Sequence, residues 1–293
     1  MQKRFHYGGQ AVLEGVMMRG PKAVATAVRK PDGEIVSRTD PLSQIYSGRP
    51  RKMPFIRGFF ALIETVVLGM KALMYSANVA VEAELDKEPK PIIIWIPVVL
   101  GLIFGIALFV LLPIFITHYG IDQIVDSAML SNLADGILRV LILIAYMAAM
   151  SLFPDIRRVF SYHGAEHKTV NAYEAGEPLE PATIQKYSTA HTRCGTGFLL
   201  IVMTIAIIVF VFTGQPAIWI RIITRLALLP LIAAFGYELI HFTADHTDSL
   251  LTKIVMRPGM ALQSLTTRQP DDEMLEVAIV ALNEVLEPEE ANP

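Results

Sequence analysis

The chain has 293 residues, of which 53% are apolar and 18% charged, and a formal net charge of −3. Its mean hydropathy of +0.46 and its shortage of charge exceed what a soluble domain shows and indicate an integral membrane protein. No nucleic-acid partner is expected, and the single cysteine, Cys194, excludes an intrachain disulfide and suits a reducing compartment.

The first twenty residues hold Lys3, Arg4, Gly8, Gly9, Glu14 and Arg19 but no apolar core of a signal peptide. Residues 1 to 57 read as a small β-containing unit. Ala23 to Arg29 is a strand, Lys30-Pro31-Asp32-Gly33 a turn, and Glu34 to Arg38 the return strand. The glycines of GGQAVLEGVMMRG, Gly8 to Gly20, suggest close backbone approach or positive φ; Glu14 and Arg19 could supply a ligand and an anion clamp, although packing accounts for the segment more simply. Gln44 to Pro54 reads as a linker.

Phe59 to Ala80 is apolar enough to span but carries Glu64 and Lys71 on one helical face, so residues 58 to 91 read as an interfacial or re-entrant helix followed by a charged connector. Four further segments read as spans: Ile92 to Thr117, Ile137 to Phe153, Phe198 to Phe212 and Ile222 to His241. Pro97, Pro113 and Pro230 within them predict kinks. With four spans, all of the 25 lysines and arginines except Arg139, Arg221 and Arg225 fall on one side, which places both termini and the loop 154 to 197 in the cytoplasm. The expected fold class is therefore a mainly α, polytopic helical membrane protein, with a membrane domain over 92 to 242 and a cytoplasmic tail over 243 to 293. In that tail Glu273 to Leu286 is an acidic amphipathic helix, with Leu275, Ile279 and Leu282 at helical spacing.

The loop after the second span begins with a helix from Pro154, a favourable first-turn residue, to about Ala175, where Gly176 and Pro178 stop it. This helix carries His163, Glu166 and His167 as H-x-x-E-H. At i, i+3 and i+4 the three side chains share one face, as a divalent metal and its water-activating base require. His191 and Cys194 precede the third span, and Glu238, His241, Asp245, His246 and Asp248 close the fourth, so five of the seven histidines gather at one boundary. The expected site has His163 and His167 as metal ligands, with a third from Glu238, His241 or His191. Glu166 is the general base, and Arg193 or Arg19 stabilises developing negative charge. The expected cofactor is a divalent metal such as zinc. Cys194 is a possible soft ligand, but a lone cysteine at a membrane edge is more often inert.

Five segments together, GGQAVLEGVMMRGP, RGFFALIETVVLGMKAL, YHGAEHKTVNAYE, HTRCGTGFLL and GYELIH, resemble the YqhQ-type family of bacterial membrane proteins, a domain of unknown function often labelled a predicted metal-dependent enzyme. The resemblance covers nearly the whole chain. It implies a membrane location and a suspected metal site at His163, Glu166 and His167, and no substrate. The function expected from residues and resemblance is a metal-dependent hydrolase at the cytoplasmic membrane face, with membrane lipids as surroundings and a membrane-associated substrate. A membrane scaffold recruiting a soluble protein partner is one alternative. A transporter or lipid-moving protein using Glu64, Lys71, Arg139, Arg225 and Glu238 is another.

Overall fold

The structure is a computed structural model and describes residues 7–42, 53–82, 91–245 and 249–290. Most of the expected linker 44–54, the connector 83–90, His246 and Asp248 lie outside the described residues.

Four strands form an antiparallel sheet in the order β1-β2-β3-β4: β1 Gly8–Val12, β2 Gly15–Arg19, β3 Ala23–Arg29 and β4 Ile35–Pro41. The β3–β4 hairpin turns where Pro-Asp-Gly expects it, with Gly33 at φ 92° and its N–H donating to Lys30 O at 3.0 Å. The glycine-rich segment, read mainly as packing, proves to be the β1–β2 hairpin. Val12 pairs with Gly15 across a two-residue loop, and Glu14 takes the left-handed conformation (φ 52°) that such a loop needs.

Both faces of the sheet are covered. Val16, Met18, Ala25 and Ala27 pack against Tyr162, Ala165 and Val170 of α5 (Pro154–Glu174) and Leu275, Ala278 and Leu282 of α10 (Asp272–Glu290). The acidic amphipathic helix of the tail is thus an integral layer, because its apolar stripe finds the apolar face of the sheet. On the opposite face, Val12, Met17, Val24 and Val28 meet Leu68, Ala72 and Val79 of α1 (Ile56–Glu82).

Four helical runs are long and apolar enough to cross a membrane: Ile56–Ala80, Trp95–Gln123, Ala128–Met150 and Ile218–Thr243. The first lies in α1, expected to be interfacial; its composition allows a span. Its inner face, however, buries Glu64 against Arg19 and carries the sheet from Leu68 onward, and a sheet whose outer strand exposes Arg38 and Asp40 has no place in hydrocarbon. The run Trp95–Gln123 begins within α2 (Pro91–Ile106) and continues through a π-helical turn at Ala107–Leu111, α3 (Leu112–Tyr119) and a 3-10 turn at Ile121–Gln123. The π turn ends two residues before Pro113, whose missing N–H and ring disrupt regular α bonding to the preceding turn. The next helix, α4 (Ala128–Met150), begins nine residues before the expected start at Ile137, capped by the Ser127 side chain. Ser131, Asn132 and Asp135 fell in the expected loop before the span and Arg139 inside it; all four are buried within the helix. After α5 and the single turn α6 (Pro181–Ile184), α7 (Gly195–Val211) is the short apolar helix, and α8 (Ile218–Asp245) and α9 (Leu250–Thr266) follow. Between α7 and α9, Gly259 lies against Gly197 so closely that a side chain on it would meet the Gly197 Cα at 2.9 Å.

Inside the bundle, Asp135 accepts hydrogen bonds from Arg139 Nη2 at 3.2 Å and from Arg225, while Arg225 Nη2 also donates to Asn132 Oδ1 at 3.0 Å. Both guanidinium groups lie over the Phe210 ring, 5.5 and 5.1 Å from its centroid. Nearby, Asp122 pairs with Arg221 at 3.0 Å. Two of the charges considered for transport are therefore held in one buried ion-pair network.

Candidate functional site

The helix α5 forms as its sequence dictates, with Pro154 in the first turn beside Asp155 and Gly176 at φ 76° beyond its end. It is buried from Gly164 to Val170 because the sheet lies on one side and the segment joining α9 to α10 on another. That segment approaches only because residue 164 is glycine: a Cβ there would stand 2.0 Å from Arg268 O. Arg268 N–H in turn donates to Phe160 O at 2.9 Å.

This approach sets the histidines. His163 Nδ1 is 2.9 Å from Thr266 O, and His167 Nδ1 is 2.6 Å from Thr189 O. A carbonyl only accepts, so each Nδ1 carries a proton, and in the neutral imidazole the lone pair is the one on Nε2. The loop bearing Thr189 is itself fixed from α5. Lys168 Nζ donates to Gln185 O and Tyr187 O, both at 2.7 Å, and Asn171 Nδ2 to Ser188 O and Ala190 O at 2.9 and 3.1 Å. Burial pulls the Lys168 ammonium pKa below its ordinary value.

Cys194 completes the cluster. It caps α7, with its sulfur accepting the Thr196 N–H at 3.4 Å and lying 3.3 Å from His163 Nε2. The ligand atoms of His163, His167 and Cys194 all fall within 4.8 Å of one another, a grouping that could hold a metal ion. Glu166 adjoins it: Oε2 is 3.6 Å from His167 Nε2 and 4.0 Å from His163 Nε2. Its other oxygen, Oε1, accepts the Gly9 N–H at 2.9 Å. Gly9 is needed there, since a Cβ would stand 2.1 Å from Met17 O. The N-terminal glycines thus serve the site by bringing a strand N–H to the motif carboxylate.

The other residues considered from sequence are placed as follows. His191 is adjacent, its ring centroid 5.5 Å from that of His167, but its Nε2 faces Glu174 Oε2 at 3.8 Å. Its backbone is clamped by Gln263, which accepts from His191 N at 3.0 Å and donates to His191 O at 2.8 Å. Arg193 pairs with Glu174 and stands 3.4 Å from His191 Nε2. Burial pushes the Glu174 carboxyl up, but hydrogen bonding to His191 and the Arg193 charge outweigh it and hold it below the usual carboxylate range. Glu238 and His241 are not brought to the cluster; Arg57 Nε donates to Glu238 Oε1 at 2.8 Å and its Nη1 is 3.5 Å from His241 Nε2. Arg19 donates to Glu64 from Nε and Nη2 at 3.0 and 2.8 Å, and Glu14 takes Arg158 Nη2 at 2.7 Å and the Tyr162 hydroxyl at 3.3 Å. Cys194 is the residue that sequence reasoning undervalued. Its signal was position, three residues after His191 and at the first turn of an apolar helix.

Gly164→Ala should therefore act on the cluster without touching a donor atom. The added methyl displaces the Arg268 carbonyl and with it the Thr266 acceptor of His163. A loss of about 1–3 kcal/mol is expected, read as a lowered thermal midpoint in detergent; unchanged melting would contradict the close approach.

The chain belongs to the DUF1385 family, described as a protein of unknown function, whose profile matches residues 53–288. It is 33% identical over 298 residues to the protein named "Uncharacterized protein YqhQ" of Bacillus subtilis (strain 168), covering 96% of this chain and 92% of that protein. No solved structure matches. His163, His167, Cys194 and the adjoining Glu166 lie inside the family match, whereas Gly9, which holds the Glu166 carboxylate, lies before it.

Proposed function

We propose that the protein is a metal-dependent hydrolase of the cytoplasmic membrane face, holding a divalent ion such as zinc through His163 Nε2, His167 Nε2 and Cys194 Sγ. The observation that carries this reading is the pair of Nδ1–H groups committed to backbone carbonyls. That arrangement fixes two imidazole lone pairs beside one thiol, and metal-binding histidines are oriented in the same way in known centres. Three protein donors and an open position are the pattern of a catalytic rather than a structural zinc site. Such an ion supplies Lewis acidity that makes a water molecule a nucleophile near neutral pH.

The chain's own contribution is positional. Gly9 N–H pins one oxygen of Glu166 and leaves the other toward the two Nε2 atoms, placed to accept a proton from water in that space. The basic-residue asymmetry supports assigning this face to the cytoplasmic side of the cell membrane. An ester, amide or phosphoester in a membrane-associated molecule is then the fitting substrate.

A second reading rests on the 3.3 Å separation of Cys194 Sγ from His163 Nε2, which also suits a metal-free thiol nucleophile with a histidine base. Cobalt substitution separates the two. Detergent-purified protein loaded with Co²⁺ should show a thiolate-to-cobalt charge-transfer band that Cys194→Ser abolishes. Absence of the band in the wild type, with Cys194 alkylated equally fast with or without Co²⁺, would favour the nucleophile.

A further inference from the structure

Beside the cluster, Thr192 and Arg193 form one wall of a cavity of about 410 Å³, closed by Ile240 and Thr243 of α8 and by Thr252, Lys253, Met256, Arg257 and Met260 of α9. That volume lies within the ~300–1,000 Å³ range of small-molecule sites. The lining is of two kinds. Ile240, Met256 and Met260 are apolar, while Arg193, Lys253 and Arg257 are cationic, and among the described residues the lining includes no carboxylate.

Arg193 is partly neutralised by Glu174, although its Nε is buried with no hydrogen-bond partner. Among the described residues neither Lys253 nor Arg257 forms an ion pair, and both stand where the cavity meets the end of an apolar run, Ile218–Thr243. α9 itself marks the depth. It exposes Leu250 and Ile254, 73% and 58% accessible, next to Lys253 and Arg257, the composition of a helix lying at the headgroup boundary.

We infer that this cavity takes the phosphate of an anionic lipid headgroup, with the cations on the phosphate and Ile240, Met256 and Met260 on the first carbons of the lipid. The apolar walls and exposed apolar face of α9 favour a lipid over a free phosphate compound. The assignment of this lipid as substrate rests on the metal-site reading, because Arg193 adjoins Cys194 in the chain; binding of the headgroup does not rest on it.

The test uses delipidated full-length protein in detergent, with phosphatidylglycerol, phosphatidylcholine and inorganic phosphate as probes and bound lipid read by native mass spectrometry. Wild type should prefer phosphatidylglycerol to phosphatidylcholine by about tenfold or more, as two headgroup-facing cations imply. The exposed-site variant Lys253→Glu/Arg257→Glu should lose that preference with its melting temperature unchanged, and Lys253→Arg/Arg257→Lys should keep it. Equal preference in wild type and the charge-reversed variant would overturn the inference. Displacement of the lipid by millimolar inorganic phosphate would overturn the lipid assignment and leave a phosphate site. Metal content measured on the same samples keeps the two readings apart: lipid preference without metal sinks the metal-dependent hydrolase and leaves the headgroup site standing.

Discussion

Asp135→Ala is expected to abolish accumulation of the folded protein. Asp135 is fully buried and receives Arg139 and Arg225, themselves 5% and 1% exposed. Removing the carboxylate leaves two guanidinium groups facing each other across an apolar bundle, with the Phe210 ring as their remaining shared neighbour. Breaking a buried pair from one side costs about 3–5 kcal/mol, against a total stability of ~5–15 kcal/mol for a folded domain. Membrane-fraction yield and thermal unfolding in detergent measure it. Arg139→Met combined with Asp135→Leu, which removes one charge of each sign, should restore part of the loss; wild-type melting of Asp135→Ala alone would contradict the network.

The second large effect belongs to Glu166→Gln. The amide retains an oxygen to accept the Gly9 N–H, so the helix and the two histidines keep their positions. What is lost is the basic oxygen facing the Nε2 atoms. General-base catalysis contributes about 10²–10⁴-fold, and hydrolysis of ester and phosphoester lipid probes should fall by that factor while bound metal is unchanged. Loss of metal together with turnover would make Glu166 a ligand instead of a base.

How far the sequence revealed this arrangement varies from residue to residue. Pro154 and Gly176 bound α5 closely because both act locally on the backbone, and the shared face of His163, Glu166 and His167 follows from helical spacing alone. The β3–β4 hairpin was legible for the same reason, through Pro-Asp-Gly. The β1–β2 hairpin was not, since its glycines are chosen for what they approach, Met17 O at Gly9 and Ala27 O at Gly15, and those contacts are made only after the sheet forms. Cys194 could not be ranked above Glu238 and His241 as a ligand, because the choice depends on which helix end meets α5. The decisive partner of Glu238, Arg57, lay three residues beyond the segment read as a linker and carried no signal of its own. Asp135 appeared to delay the second span, which was read from Ile137, when in fact Arg225, 90 residues away, lets it lie inside the helix beside Arg139.

The measurement that bears most directly on the metal centre is elemental analysis of tag-free, detergent-purified wild type beside His163→Ala/His167→Ala. Near-stoichiometric zinc or another divalent metal in the wild type, lost in a double variant that still melts cooperatively, is the predicted result. Equal, negligible metal in both proteins after incubation with zinc would contradict it.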